Sequence, residues 1–405
     1  MRVLDITTVR TGSTGGIATD IKKYFLENND EYIIAFSEKD SKPLNGDILI
    51  GNKLDHKLHA LLSRIFGLQG YFSFISTFKF LRKVKTYKPD IVVLGNLHSN
   101  YINLPLLFSY LAKEKINVVM ILHDCWFFTG KCTHFTVYNC NKWRERCHSC
   151  HCVTNSNNSW FFDQSKKMFL DRDKWYNSLT SLTIVAVSDW EANLARQSPL
   201  FKKASIRKIY NWIDTNIFKP ATDDEITRVQ KKYGLRKDLK YVISVGAMWA
   251  NSSSKTSDAI RFASQLQDDY RLIIVGKSHE GTFPSPIITI PYTSNANELA
   301  VLYSMSNAYI HFSVEDTFGK VIAEAMACGV VPIVFNSTAC GEVAGPYGVA
   351  VAPHDINAMI SALDIASDLN RRRAVRQYAI ANYSKDFNLK LYHTLYNNIV
   401  FNEKN

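Results

Sequence analysis

Two carboxylates eight residues apart, Asp316 and Glu324, lie in the run 313–329, which follows an apolar strand and opens a helix. A helix starting there aims backbone N–H groups and its positive dipole end at whatever binds beside Phe318 and Gly319, a setting that suits an anion. Asp316 precedes the helix and Glu324 falls about two turns into it, so the two acids can accept hydrogen bonds from hydroxyls at separated points of one ligand. A sugar nucleotide fits that description. A buried small-residue helix (Ala323, Ala325, Ala327, Gly329) behind a solvated acidic loop explains the same residues on local chemistry alone.

A second concentration of reactive side chains is the cysteine-rich stretch 125–152, which holds six of the eight cysteines together with His134, His148 and His151. Cys132, Cys140, Cys147 and Cys150 could close a tetrahedral structural zinc site, with Cys147 and Cys150 as its close pair. Buried free thiols or a redox-labile loop are the competing reading. A zinc-dependent nucleic-acid module would use the same cysteines, but no recognition-helix pattern of basic residues follows them, so no nucleic-acid partner is expected. Asp171-Arg172-Asp173 spells the Asp-x-Asp that can hold a divalent ion. It falls in an expected amphipathic helix that includes Phe161, Phe162, Phe169 and Leu170 rather than after a strand, and is set aside as a donor site.

These residues must be positioned by a scaffold, and the pattern names one. Apolar runs at 2–7, 32–36, 91–94, 118–122 and 182–187 alternate with helical patterns, and the rhythm restarts at 241–245, 272–275, 308–312, 331–335 and 348–351. Two doubly wound α/β domains are the economical reading, residues 1–215 and 216–405, with the boundary in the polar stretch 211–220 and the last helix returning to the first domain. Ligands of such sheets bind outside the carboxyl ends of the strands, which places the expected site in a cleft faced by both domains. The composition, 46% hydrophobic and 21% charged over 405 residues, excludes disordered and fibrous classes. No run approaches the roughly 20 apolar residues that span a bilayer. Met1 leads directly into a strand pattern, so no leader is expected and the thiols are expected to face a reducing cytosol.

The run 313–329 resembles the paired-acid signature of the retaining glycosyltransferases of the GT-B fold, family four. Ser188 and the stretch 209–220 resemble that family's interdomain segment, and Gly15-Gly16 its glycine loop. Asn96-Leu97-His98 with Tyr101 and Asn103, and the run His123 to Cys132, are similar to the branch that builds colanic acid and capsule. The resemblance implies a hexosyltransferase that uses a UDP- or GDP-sugar and needs no catalytic metal. It implies Glu324 as the ribose ligand and Asp316, or neighbouring Glu315, as the sugar ligand. Backbone N–H groups at Phe318 and Gly319 would face the sugar or phosphate. It further implies Lys255, in the loop between the strand 241–245 and a helical pattern that starts at Ser257, as the positive group at the leaving diphosphate, with Lys320 able to supply the charge where the family's usual Arg is replaced by Ala247. His123 would stand near the donor, Gly15 and Gly16 would allow close approach of the diphosphate or acceptor, and His98 and Asn103 would lie on the acceptor side. A nucleotide-sugar 2-epimerase and a non-catalytic binding subunit share this architecture and remain alternatives.

The net charge of +11 is unevenly held, about +10 in residues 1–215 and +1 in the rest. Residues 57–88 contain no acid and interleave Lys57, Arg64, Lys79, Arg82, Lys83, Lys85 and Lys88 with leucines and phenylalanines. Such basic amphipathic helices suit an anionic membrane surface, where a peripheral enzyme on the inner face would meet a glycan or lipid-diphosphate acceptor. An ordinary helix pair with a solvated basic rim is the competing reading.

Overall fold

Strands that read as continuous apolar runs must be covered on both faces. The structure, a computed structural model describing residues 1–37, 46–154, 157–279 and 281–401, meets that requirement twice. The chain divides into two compact units, Met1–Ile209 with Leu389–Asn405, and Tyr210–Asn388. The division comes before the expected 215/216 boundary because the Ile209 N–H still donates to Ala186 O (3.0 Å), whereas the Tyr210 ring packs against Phe318 and Tyr383.

In the first unit, β1 (Arg2–Ile6), β2 (Glu31–Phe36), β3 (Ile48–Leu49), β4 (Ile91–Leu94), β5 (Asn117–Leu122), β6 (Ser181–Ala186) and β7 (Ser205–Lys208) form a parallel sheet ordered β3-β2-β1-β4-β5-β6-β7. Its helices are α1 (Gly12–Glu27), α2 (Lys53–Phe66), α3 (Phe74–Tyr87), α4 (Leu104–Lys113), α5 (Ser165–Ser178) and α6 (Asp189–Gln197). Strand order reverses between β1 and β4, so the carboxyl ends of those strands form a switch point. The edge strands β3 and β7 escape a sequence reading because they are short, and β7 alternates exposed and half-buried residues without a continuous apolar run.

The second unit repeats the winding. It contains α7 (Asp223–Tyr233), β8 (Lys240–Trp249), α8 (Ser254–Ala263), β9 (Tyr270–Ser278), β10 (Ile288–Ile290), α9 (Ala296–Ser304), β11 (Ala308–His311), α10 (Lys320–Ala327), β12 (Pro332–Phe335), α11 (Cys340–Ala344), β13 (Val349–Val351), α12 (Ile356–Ser361), α13 (Leu363–Ala366) and α14 (Leu369–Tyr383). The sheet order is β10-β9-β8-β11-β12-β13, which places a second switch point between β8 and β11. Helix α7 starts at Asp223 because Thr222 and Glu225 form a capping box.

The final helix, α15 (Lys385–Phe401), carries residues from Leu389 onward that belong to the first unit. There His393 lies 2.8 Å from Asp30 and edge-on to Phe25, while Tyr396 packs on Phe25 with ring centroids 5.2 Å apart. This packing seals Asp5, the fourth of the five residues of β1, away from water. Tyr32 donates to one of its oxygens at 2.9 Å, and the other has no hydrogen-bond partner. Burial therefore pushes the Asp5 carboxyl up to about 7, with the Tyr32 bond opposing and Asp47 adding to the rise.

A carboxyl raised in the folded state contributes its full share of stability below the unfolded value near 4 and loses it as pH climbs through 7. Asp5→Asn should therefore stabilise the protein at pH 8 by about 2–4 kcal/mol, with the gain shrinking toward nothing at pH 4. Urea unfolding at the two pH values measures this, and an equal effect at both would show that Asp5 titrates in the ordinary range.

Candidate active site

The switch point of the second unit collects most of the chemistry. Strand β8 shifts register against β9 between Val245 and Met248, and Gly246 and Gly276 meet there. Gly276 has φ +145°, and a Cβ on it would lie 1.9 Å from Gly246 O. Trp249 packs into the same corner and donates its indole N–H to Val275 O at 3.2 Å. Lys255 stands over its ring at 4.7 Å, and a Cβ on Gly246 would come within 3.3 Å of the lysine Nζ. Two glycines thus clear the ground on which the ammonium rests.

Lys255 is on the first turn of α8, not in a loop. The helix begins at Ser254, three residues earlier than its apolar pattern, because the Ser253 side chain caps it by accepting from Thr256 N–H. Burial pushes the ammonium below the ordinary lysine value, and Asp316 opposes that shift. Lys255 and Asp316, from the two sides of the switch point, are therefore electrostatic partners.

Asp316 is braced from behind. Its Oδ2 is 2.8 Å from His311 Nε2, and His311 Nδ1 is 2.8 Å from the Tyr309 hydroxyl. Its backbone N–H donates to Thr338 Oγ1 at 3.1 Å, and its carbonyl accepts from Ala339 N–H at 3.2 Å. Of the two adjacent acids, Asp316 is the one that meets Lys255 and His311. Glu315 instead takes part in a small turn, its N–H donating to Ser313 Oγ at 3.3 Å. Tyr309 and His311 went unread in the sequence, although a histidine two residues after a tyrosine on a strand, hence on the same face, was a usable signal.

Gly319 takes φ +78° and opens α10. The Phe318 side chain is buried on the rings of Tyr210 and Tyr383, which fixes the backbone that approaches the helix. Lys320 and Glu324 stand one turn apart on α10. Burial pushes the Glu324 carboxyl up to about 7, and Lys320 and the Tyr303 hydroxyl, at 3.5 Å, pull against it.

In the first unit, His123 follows β5. A Cβ on Gly95, just after β4, would lie 3.8 Å from its Nε2. Burial pushes its imidazole down to about 4 against the pull of Asp124, so it is neutral near pH 7. His98 Nε2 is 2.9 Å from Asp124 Oδ2, and the His98 ring leans on Trp126. The structure therefore brings His98 and His123 to one edge of the sheet. Asn103 is buried as the cap of α4, accepting from Leu106 N–H and donating to Tyr71 O. Gly15 and Gly16 lie in a helix rather than a loop, since α1 begins at Gly12 and takes them in. A Cβ at Gly15 would strike Val9 O at 2.6 Å, whereas one at Gly16 would meet nothing within 4 Å.

Asp171-Arg172-Asp173 lies on α5, with Arg172 buried over the Trp126 ring (4.0 Å) and donating to Thr129 O, and with Asp171 accepting from Tyr71 (2.6 Å) and Lys167 (2.5 Å). Phe161 and Phe162 are not in that helix as expected. Asp163 accepts from Ser165 N–H and starts α5 after them, leaving both exposed. The cysteines also pair differently. Sulfur atoms of Cys132, Cys150 and Cys152 lie within 4.8 Å of one another, while Cys147 accepts from Gly130 N–H at 3.2 Å.

Residues 225–382 match the family described as Glycosyl transferases group 1. Among curated proteins, the chain is 24% identical over 134 residues to N-acetyl-alpha-D-glucosaminyl L-malate synthase of Bacillus anthracis, covering 31% of this chain and 34% of that one. It is 23% identical over 265 residues to the putative colanic acid biosynthesis glycosyl transferase WcaC of Escherichia coli K12, covering 64% and 63%. The matches thus span about a third and somewhat under two thirds of these relatives. Sucrose-phosphate synthase of Thermosynechococcus elongatus superposes with a TM-score of 0.70 at 15% identity, over 98% of this chain and 99% of that one. Anabaena HepE in complex with UDP-glucose gives 0.64 at 14%, over 98% and 99%. The fold is GT-B, built from two Rossmann-like domains.

The two glycines of α1 separate packing from ligand contact. Gly15→Ala should destabilise by about 1–3 kcal/mol through its clash, and Gly16→Ala should be neutral or stabilising by up to about 1 kcal/mol as a helix-interior glycine removed. Thermal unfolding of both variants tests this, and a Gly15→Ala protein as stable as the parent would refute the close approach.

Proposed function

We propose that this protein is a retaining hexosyltransferase that moves a sugar from a UDP- or GDP-sugar to a lipid-linked surface glycan at the cytoplasmic face of a membrane. The observation that carries the reading is the convergence of Lys255 and Asp316 at the carboxyl ends of β8 and β11, with Glu324 buried on the helix that follows. A nucleoside diphosphate sugar supplies what each group lacks. Its ribose hydroxyls donate to Glu324, its sugar hydroxyls donate to Asp316, and its diphosphate meets the Lys255 ammonium and the N–H groups at the start of α10.

The chemistry is the breaking of the bond from sugar C1 to the diphosphate oxygen as a new bond forms from C1 to an acceptor hydroxyl on the same face. The electron pair of the broken bond leaves with the diphosphate, which accepts the acceptor's proton. Negative charge grows on the leaving group, and Lys255 is a fixed, partly desolvated cation aimed at it. Lys320 acts on Glu324 across one helical turn, and its place in the reading is to hold that acid ionised. Neutral His123 is suited to hydrogen-bond a sugar hydroxyl rather than to carry charge. The neighbour solved with UDP-glucose supports a nucleotide-sugar donor, and the colanic-acid relative supports a glycan product.

The membrane part of the reading rests on the inverted face of α2. That helix buries His56, His59 and Ser63 and exposes Leu54, Leu58, Leu61 and Phe66. The buried polar groups are satisfied: His56 lies 2.9 Å from Ile50 O and His59 lies 2.8 Å from Ser73 Oγ. Trp160 N–H donates to Arg64 O at 2.7 Å, which sets the exposed Trp160, Phe161 and Phe162 at the end of the same face, while α3 adds exposed Phe74, Ile75 and Phe78 beside Lys79, Arg82, Lys83 and Lys85. Leucines turned outward with lysines at their rim suit the boundary of an anionic bilayer. No helix among the described residues is long and apolar enough to cross a membrane.

Ionised Glu324 is the form that accepts ribose hydroxyls. Affinity for the matching nucleoside diphosphate should therefore rise about tenfold from pH 6 to pH 8 as a group with a pKa near 7 ionises, and this rise should vanish in Glu324→Gln. Calorimetric titration with UDP, GDP and ADP measures it, and turnover of the matching UDP- or GDP-sugar with product anomers read by NMR tests the reaction. Binding without transfer would mark a non-catalytic subunit, and conversion of the donor to its 2-epimer an epimerase. Sedimentation with anionic vesicles should fall several-fold on reversing Arg82, Lys83 and Lys85 to Glu, and again on changing Phe161 to Asp; unchanged sedimentation of both would remove the membrane from the reading.

A further inference from the structure

We infer that Cys132, Cys150 and Cys152, with Cys140 as fourth ligand, form a structural zinc site that closes the irregular segment 129–164 on itself within the first unit. The three sulfur atoms lie within 4.8 Å of one another. Thiolates around a tetrahedral zinc at about 2.3 Å sit roughly 3.8 Å apart, so the three need only small movements to share one ion. Cys132 and Cys152 are buried and Cys150 is half-buried, which makes the cluster closed, as structural rather than catalytic sites are. Cys140 and Cys147 both lie within electrostatic reach of the trio, Cys140 of Cys152 and Cys147 of Cys132 and Cys150, and Cys140 is the one whose sulfur is not taken by the Gly130 backbone. Cys147, the other member of the cysteine run, instead accepts a hydrogen bond from Gly130 N–H and lies against the Gly130 backbone, where a Cβ on the glycine would meet its own Cβ at 2.8 Å.

The segment needs a staple. Between the short turn that ends at Phe128 and the start of α5, its only regular element among the described residues is the single 3-10 turn Lys142–Arg144. A connection of this length without helices or strands is uncommon in a compact domain unless something else holds it. Phe135 and Trp143 anchor its first half on Phe128, and the three thiols bring residue 132, near its start, to residues 150 and 152. Lys131 crosses the same place, its ammonium donating to Val153 O at 2.9 Å, and offers a positive group beside a site that three or four thiolates would leave negative. Asp163 reaches back to accept from Cys150 N–H at 2.7 Å, fixing the loop that carries the second and third ligands. The staple therefore ends where exposed Trp160, Phe161 and Phe162 begin, and it fixes the base of that apolar loop.

The full-length protein, expressed in zinc-supplemented medium and purified without chelator, should contain about one zinc per chain by elemental analysis. A mercurial reagent should release that zinc in step with thiol modification, and cleavage of the segment 129–164 by a protease should then rise several-fold while the rest of the chain stays resistant. Cys132→Ser, Cys150→Ser and Cys152→Ser should each lose most of the zinc, whereas Cys147→Ser and Cys328→Ser should keep it. A metal-free wild-type protein would overturn the site, as would an intact mass two hydrogens light that reports a disulfide. Zinc retained in Cys152→Ser but lost in Cys147→Ser would overturn this ligand set. These readouts do not involve nucleotide or transfer, so they succeed or fail apart from the proposed reaction.

Discussion

The reversal of strand order between β8 and β11 is the constraint on which the candidate site depends. Parallel neighbours whose connections leave on opposite faces of a sheet open a gap at their carboxyl ends, and loops from both sides must enter it. In this chain one side brings Lys255 and the other Asp316. The gap is kept clear by an unusual closeness of backbone, Gly276 against the carbonyl of Gly246, in a conformation that a side chain would not allow. The cation and the carboxylate are therefore placed by the sheet itself, and the side chains around them serve to hold rotamers. The line from Tyr309 through His311 to Asp316 is the clearest instance, because it removes the freedom of an acid that sits in a loop.

The first unit shows the same economy applied to polar groups in awkward places. Asp5 lies in a buried strand and is tolerated because burial drives it toward the neutral acid. Helix α2 turns its histidines inward and gives each a partner, which releases its leucines to the surface. Both arrangements cost folding free energy if the outside is plain water, and the second becomes reasonable when the outside is apolar. Arg172, stacked on Trp126 under the cysteine segment, is a third polar group enclosed only because a carbonyl and an aromatic face receive it.

Much of this was legible from residue order. Nine strands announced themselves as apolar runs, since a parallel strand covered on both faces has no polar alternation to blur it, and the short edge strand β13 was also read from its valines. The edge strands β3, β7 and β10 were not, because they are two to four residues long and paired on one side. Two helix starts were misplaced, where a cap or a glycine stood ahead of the apolar pattern. Lys255 was read into a loop and Gly15 and Gly16 into another, yet Ser253 and Thr11 begin helices that contain them. Asn103, placed on the acceptor side, stands before Leu104 and Pro105, the position of a helix cap, and it caps α4.

Sequence alone determined the two doubly wound units, the acids Asp316 and Glu324 eight residues apart around a helix start, and the basic, aromatic-rich surface of the first half. These follow from periodicity and spacing along the chain, which local sterics and burial convert into structure. Only the tertiary structure decided which acid meets Lys255, that His311 stands behind it, that Cys152 rather than Cys147 joins Cys132 and Cys150, and that α2 faces outward with its leucines. Apart from the contact of His311 with Asp316, which is local, these depend on side chains from separate elements converging through the sheet and the loop packing, and no spacing rule carries that information.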